Sequence, residues 1–175
     1  MNNEMNYKMH TVFNKDDHTL PFILSKLGGD DSLISDINDL DFSQFPEFNT
    51  DDLEYLSHSI IMEKTISPTG EGYKGNLYVL VGPRNYSSSE SFVNFCKDSG
   101  FATLVGHQTG GDGIGFDPIV LSMSNSGIMV AYSTIYGMDQ YGRNSEEFGT
   151  TPDILLDNDV NAYEYLMNAI KDGSL

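Results

Sequence analysis

The sequence predicts an α/β fold, and three stretches carry that prediction. "GNLYVLVGP" (Gly75 to Pro83) is a short apolar run rich in β-formers and bounded by glycine and proline, as a buried strand would be. A helix is expected from about Ser88 to Ser99, where Phe92, Phe95 and Cys96 recur at i, i+3 and i+4 and Gly100 suits the position just past the end. "FATLVG" is a second strand, and strand–helix–strand with short connections reads as a βαβ unit with a parallel pair.

The other elements follow in order. Beyond the glycine-rich "HQTGGDGIG", "DPIVLSM" and "GIMVAYS" flank "SNSG" as a hairpin, and "TPDILL" is one more extended run. The chain closes on a helix in "NDVNAYEYLMNAIKDG", with a stripe of Tyr163, Leu166, Met167 and Ile170 and a stop at Gly173. The first third is different. No lysine or arginine lies between Lys26 and Lys64, and nine acids fall between Asp30 and Glu54, interleaved with apolar residues. This composition predicts an irregular and helical segment, residues 1–72, packing on a core of residues 73–175 within one domain, and no strand is assigned to it. Within it, "NTDDLEYLSHSI" is expected to be helical, with Asn49 or Thr50 as N-cap.

Composition narrows the function. A chain of 175 residues with 39% hydrophobic content is globular, and its formal net charge of −17 argues against nucleic acid and anionic membrane surfaces as partners. The single cysteine, Cys96, forbids an internal disulfide and a cysteine-rich zinc site. No apolar run reaches membrane-spanning length, and "MNNEMNYKMHTVF" lacks the apolar core of a signal peptide. "DDSLISDINDLD" does not carry the register of an EF-hand loop, no histidine pair has helical zinc spacing, and "HQTGGDGIG" lacks the lysine of a phosphate-binding loop. No metal or cofactor is implied.

"NYSSSESF" supports two readings. Ser87-x-x-Glu90 matches a capping box, worth about 1 kcal/mol. A serine between a buried strand and a helix can instead be a nucleophile, with the helix N-terminus offering free N–H groups to a developing oxyanion. The two roles compete for the Ser87 hydroxyl, and Ser88 or Ser89 would cap the helix if Ser87 were catalytic.

From Tyr73 to Leu156 the chain resembles the tail-specific (C-terminal processing) serine peptidase family, in its tricorn-core-like and clostridial branch. The resemblance rests on the strand before the serine, the S-x-S-E segment at Ser87, "FATLVGHQTGG", the "SNSGI" hairpin and "EEFGTTPD" in that order. It implies a ClpP/crotonase-like core, no cofactor, and a peptide or unfolded protein as substrate. It assigns Ser87 as nucleophile, the Ser88 N–H as an oxyanion donor and Glu146 as the polarising acid, with Glu147 a close second. His107, Gly110, Gly111 and Asp112 would line the site. Apart from the resemblance, Tyr86 and Phe116 flank the expected cleft and either line a substrate pocket or, as is commoner for such residues, belong to the core.

The sequence also departs from the family. One branch uses a lysine base, and the corresponding position, twenty-five after Ser87, is Asp112, whose carboxylate cannot do the work of a neutral amine. Lys97 is expected to be solvated. The tricorn-like branch uses a histidine ahead of a D-x-R-x-N-x-G-G segment, which is absent from this sequence. The expectation is therefore the C-terminal half of a catalytic domain, whose base comes from the missing half or else from His107. His10, His18 and His58 are expected to be structural or exposed. The alternative is a catalytically inactive domain of the same fold that binds peptides. The resemblance points to the cell envelope for a full-length parent, and a homo-oligomer is left open.

Overall fold

The computed structural model describes residues 4–16, 18–70 and 72–175. Its elements run β1 (Met5–Phe13), α1 (Thr19–Lys26), β2 (Ile34–Asp36), β3 (His58–Ile66), β4 (Tyr78–Val81), α2 (Ser88–Ser99), β5 (Thr103–Gly106), β6 (Ile119–Ser122), β7 (Met129–Tyr132), β8 (Ile135–Asp139), α3 (Ser145–Phe148), β9 (Ile154–Leu155) and α4 (Ala162–Asp172). The class is α/β as expected, with the βαβ unit, the hairpin and the C-terminal helix in place. No helix among the described residues is long and apolar enough to cross a membrane.

The chain divides into two compact units. The first holds the chain up to Tyr7, Glu63–Gly113 and Ser145–Leu175; the second holds Lys8–Met62 and Ile114–Asn144. In the first unit β4, β5 and β9 form a parallel sheet in that order, with Val79 opposite Leu104 and Val105 opposite Ile154. Val81, Val93, Cys96, Ala102 and Leu104 make its core, with Val79, Phe95 and Phe101 packed against it. Helix α2 spans Ser88–Ser99 as predicted and stops at Gly100, which adopts the left-handed conformation. Its buried face is rotated from the expected one. Glu90, Val93, Asn94 and Cys96 point inward, while Phe92 is 46% exposed. Helix α4 is capped by the Asn161 side chain, which accepts from the N–H groups of Tyr163 and Glu164. It buries Leu166 and Ala169 and leaves Tyr163 and Ile170 exposed, so only part of the predicted stripe is core.

The first third of the chain, to which the sequence assigned no strand, holds β1 and begins β3, strands of nine residues each. Strand β1 pairs antiparallel with β8, Val12 opposite Tyr136, in a sheet ordered β2-β3-β1-β8. "MNYKMHTVF" escapes the alternation rule because Thr11, Val12 and Phe13 are all fully buried, so both faces of the strand are covered and polar residues sit among the apolar ones. The acidic stretch between β1 and β3 forms 3₁₀ turns at Asp31–Leu33, Ile37–Asp39, Phe42–Gln44 and Thr50–Tyr55. Each is opened by a short side chain just ahead of it: Asp30, Asp36, Asp41 and Asn49 accept from the backbone N–H two residues on. Asn49 is thus the cap that the sequence suggested. Between these caps Ile37, Phe45 and Phe48 turn inward onto Val12 and Met138, so the acids organise the backbone while the aromatics supply the core.

Candidate active site

The chain leaves β4 at Val81 and makes a tight turn before α2. The Asn85 N–H donates to the Gly82 carbonyl at 2.9 Å, and the Gly82 N–H donates to Asn85 Oδ1 at 2.8 Å. Ser87 follows with φ 57° and ψ −125°, one of two non-glycine residues with positive φ among those described. Such a backbone costs on the order of 1–3 kcal/mol and persists only where its surroundings enforce it. Here they do. The Ser87 N–H donates to Gly111 O at 3.0 Å, and the Ser87 carbonyl accepts from Ser91 N–H at 3.0 Å, opening the helix. Ser87, Ser88 and Ser89 are all exposed. The capping box does not form: the Ser87 side chain makes no cap hydrogen bond, and Glu90 points into the interior. Ser89 closes the turn instead, its Oγ accepting from Tyr86 N–H at 2.9 Å and donating to Tyr86 O at 3.0 Å. Ser88 is the first residue of α2, so its N–H has no intrahelical acceptor.

The glycine-rich loop holds this turn from beneath. The Gly110 N–H donates to Asn85 O at 2.8 Å, and a Cβ on Gly110 would lie 2.8 Å from Pro83 O and 2.9 Å from Asn85 O. Gly111 (φ 89°) backs onto the Ser145 and Glu146 carbonyls, which a side chain there would overlap, and the Asp112 N–H donates to Ser145 O at 3.2 Å. The serine turn, the glycine loop and α3 are thus stacked through their backbones.

A buried polar network locks the same segments through side chains. Glu90 has no solvent exposure. Its Oε1 accepts from Thr109 Oγ1 at 2.7 Å and from Thr150 Oγ1 at 2.6 Å. The Thr150 N–H donates to Thr109 Oγ1 at 2.6 Å, and Asn94 Nδ2 donates to Ser145 Oγ at 2.8 Å. Glu90 and Asn94 come from α2, Thr109 from the glycine loop, and Ser145 and Thr150 from around α3. Sequence reasoning missed this cluster. Its one signal is a glutamate and an asparagine at i and i+4 on the helix face that also carries Val93.

Two acids, Asp112 and Glu146, act on Tyr86, the neighbour of Ser87. The Asp112 side chain accepts from the Tyr86 hydroxyl. That bond, then the Asp112 charge, burial and the more distant Glu146 charge, push the Tyr86 phenol above its usual range. Tyr86 itself is exposed beside Ser87. Among the described residues no group of three or more His, Cys, Asp or Glu side chains is placed to hold a metal ion. Cys96 is no rival nucleophile: burial, reinforced by Asp153, pushes its thiol up to about 11.

The profile of peptidase family S41 matches residues 22–156, most of the chain. The chain belongs to peptidase family S41. Its match begins at residue 22, well ahead of the Tyr73 start of the motifs described above. No curated protein matches the sequence closely enough to count as a relative. The fold is similar to that of mature CPAF, solved in complex with lactacystin, with a TM-score of 0.61 and 19% identity over 99% of this chain and a much smaller share of CPAF's own length. For CPAF that share is 39%. A candidate peptidase from Parabacteroides merdae matches more loosely, at a TM-score of 0.46 and 24% identity over 60% of this chain and 32% of its own. This S41 chain therefore spans between about a third and two fifths of the solved relatives' length.

Within this S41 chain the first unit gathers Ser87, Ser88, Gly110, Gly111, Asp112, Glu146 and Glu147 from three segments. Glu146 is half-buried in α3, and Glu147 next to it is exposed. His107 belongs to the same unit, but its Nε2 is 3.1 Å from the Asp157 carbonyl. A carbonyl only accepts, so Nε2 carries the proton there, and Ser87 is not among its partners. Lys97 is not simply solvated as expected: its Nζ lies 2.5 Å from Asp153 Oδ1, whose other oxygen accepts from Leu104 N–H at 2.8 Å. In the second unit, His10 stacks edge-on against Phe45, His18 donates its N–H to Asp16, and His58 Nδ1 lies 2.8 Å from Ser57 Oγ. Phe116, expected at a cleft, packs on the core of Phe13, Ile23, Ile60 and Ile135.

Proposed function

We propose that this chain is the serine-bearing part of an S41-type serine peptidase, acting on peptides or unfolded protein through Ser87. The observation that carries the proposal is the Ser87 backbone, φ 57° and ψ −125°, on an exposed turn between β4 and α2. Strand, strained turn, serine and helix is the arrangement that aims a nucleophile outward in hydrolases, and strain of this kind gathers at functional sites.

In the proposed reaction Ser87 Oγ attacks the peptide carbonyl while its proton passes to a base. The carbonyl oxygen becomes an oxyanion, stabilised by the Ser88 N–H and the positive end of α2. Collapse expels the amine, which takes up the proton, and water then releases the acyl group from Ser87. Glu146 polarises the site. The base is assigned first to a residue outside this sequence, since Asp112 stands where one branch of the family has its lysine; the alternative is His107, whose Nδ1 keeps its lone pair when Nε2 donates to the Asp157 carbonyl. In the family that the chain resembles, the D-x-R-x-N-x-G-G segment also supplies an oxyanion glycine, and this sequence does not carry it; losing one such donor slows the reaction by about 10²–10³, so the chain by itself is expected to hydrolyse peptides very slowly.

The same two observations favour a second reading, an inactive domain of this fold that binds peptides. A fluorophosphonate serine probe separates them. A serine without its base should label slowly but selectively: labelling on long incubation that disappears in Ser87→Ala supports the peptidase, whereas peptide binding with Ser87 no more reactive than Ser88 or Ser89 supports the inactive domain and rejects the first reading.

A further inference from the structure

Strands β6 and β7 form a two-stranded antiparallel ribbon in the second unit, and its two faces differ. Ile119 is opposite Tyr132 and Leu121 opposite Val130, while Val120 is opposite Ala131 and Ser122 opposite Met129. Met123 N–H donates to Ile128 O at 2.8 Å and extends the ladder by one pair. Because side chains alternate along a strand, Ile119, Leu121, Met123, Ile128, Val130 and Tyr132 share one face, and every one of them is large and apolar. The other face carries Val120, Ser122, Met129 and Ala131. The first face is wholly large and apolar and the second is smaller and interrupted by Ser122, and neither is covered: Val120 is 50% and Met129 71% exposed. Leu121 is 40% exposed, Met123 54%, Ile128 63%, Val130 43% and Tyr132 38%. A two-stranded ribbon is marginal in water without a further layer.

We propose that a second copy of this chain supplies that layer, with two ribbons packing apolar face to apolar face about a two-fold axis. Charge decides the occupant. The chain carries a net −17, yet no Asp, Glu, Lys or Arg occurs from Pro118 to Met138. With acids outnumbering bases 26 to 9, two identical chains repel on average, and the uncharged ribbon adds nothing to that repulsion at the contact. The size also suits. The six side chains offer on the order of 500 Å² per copy, so a symmetric pair reaches the ~1,000 Å² that a specific interface has to clear. Ribbons stacked about 10 Å apart form a small four-stranded sandwich, and a two-fold pair is the commonest homo-oligomer.

Sedimentation velocity on the full chain tests this from low to high micromolar protein. The dimer fraction is expected to rise with concentration and with added salt, which screens the acidic surfaces. Leu121→Asp on the apolar face should abolish the dimer, and Ser122→Asp, the same charge on the opposite face, should leave it. The unmodified chain gives a second readout, since the ribbon carries a methionine on each face. At dimer-forming concentrations peroxide should oxidise Met123 more slowly than Met129, and on dilution that protection should vanish. A monomer at every concentration, a dimer indifferent to Leu121→Asp, or no concentration-dependent protection of Met123 would overturn the proposal. Protection of Met123 only on adding an extended peptide would overturn it too and assign the face to peptide docking.

Discussion

At the residue scale, Ser87 combines three properties that are separately ordinary: exposure, a left-handed backbone and a place immediately before a helix. The strain belongs to its Cβ, which suggests a test free of any chemistry. Ser87→Gly and Ser87→Ala both remove the hydroxyl, but only glycine relieves the positive φ. Ser87→Gly should be the more stable by about 1 kcal/mol, a gap of roughly 2–4 °C in Tm for a chain of this size; equal melting points would mean that the turn is not strained. Tyr86, its neighbour, supplies a pH signature. Its proton is held by the hydrogen bond to Asp112 and by the negative charges of Asp112 and Glu146, so its phenolate forms only above the ordinary pH range near 10.0. Asp112→Asn removes the nearer charge and should bring the Tyr86 titration down toward 10.0, as NMR of that ring would record. No change would place Asp112 elsewhere.

At the scale of elements, the clamp around Glu90 is the feature on which the site's geometry depends. Glu90→Ala opens a buried cavity and leaves the Thr109 hydroxyl only the long contact to Thr150 O at 3.4 Å, while Thr150 turns to Asn94 Oδ1 at 2.7 Å, at a cost of about 2–5 kcal/mol. Glu90→Gln keeps an oxygen for both and should lose much less, by chemical denaturation. Equal losses would mean that packing alone, not hydrogen bonding, holds the three segments. The contrast between what could and could not be read from the sequence lies here as well. The βαβ unit, the hairpin and α4 were legible because each is a local pattern closed by its own glycine or cap. Strand β8 was not, because "IYGMD" gains its identity from β1, more than a hundred residues earlier. Ser87 was legible as an ambiguous residue, with the choice made by backbone angles that no spacing encodes. Glu90 was read as a cap partner since S-x-x-E is a local pattern, whereas its actual partners are 19 and 60 residues away.

At the scale of the whole molecule, an acidic chain carries one long uncharged stretch, and its acids work mainly as turn caps and surface charge. Self-repulsion at −17 opposes compactness, so added salt should raise Tm, and a flat salt dependence would mean the acids are too dispersed to matter. Three exposed serines stand side by side at the entry to α2, and the account holds that backbone geometry makes only the first of them a nucleophile. The most direct measurement is site-resolved mass spectrometry of the chain after a fluorophosphonate probe. The predicted result is a single adduct on Ser87, none on Ser88 or Ser89, and none anywhere in Ser87→Ala. An adduct on either neighbour, or one that survives Ser87→Ala, would contradict it.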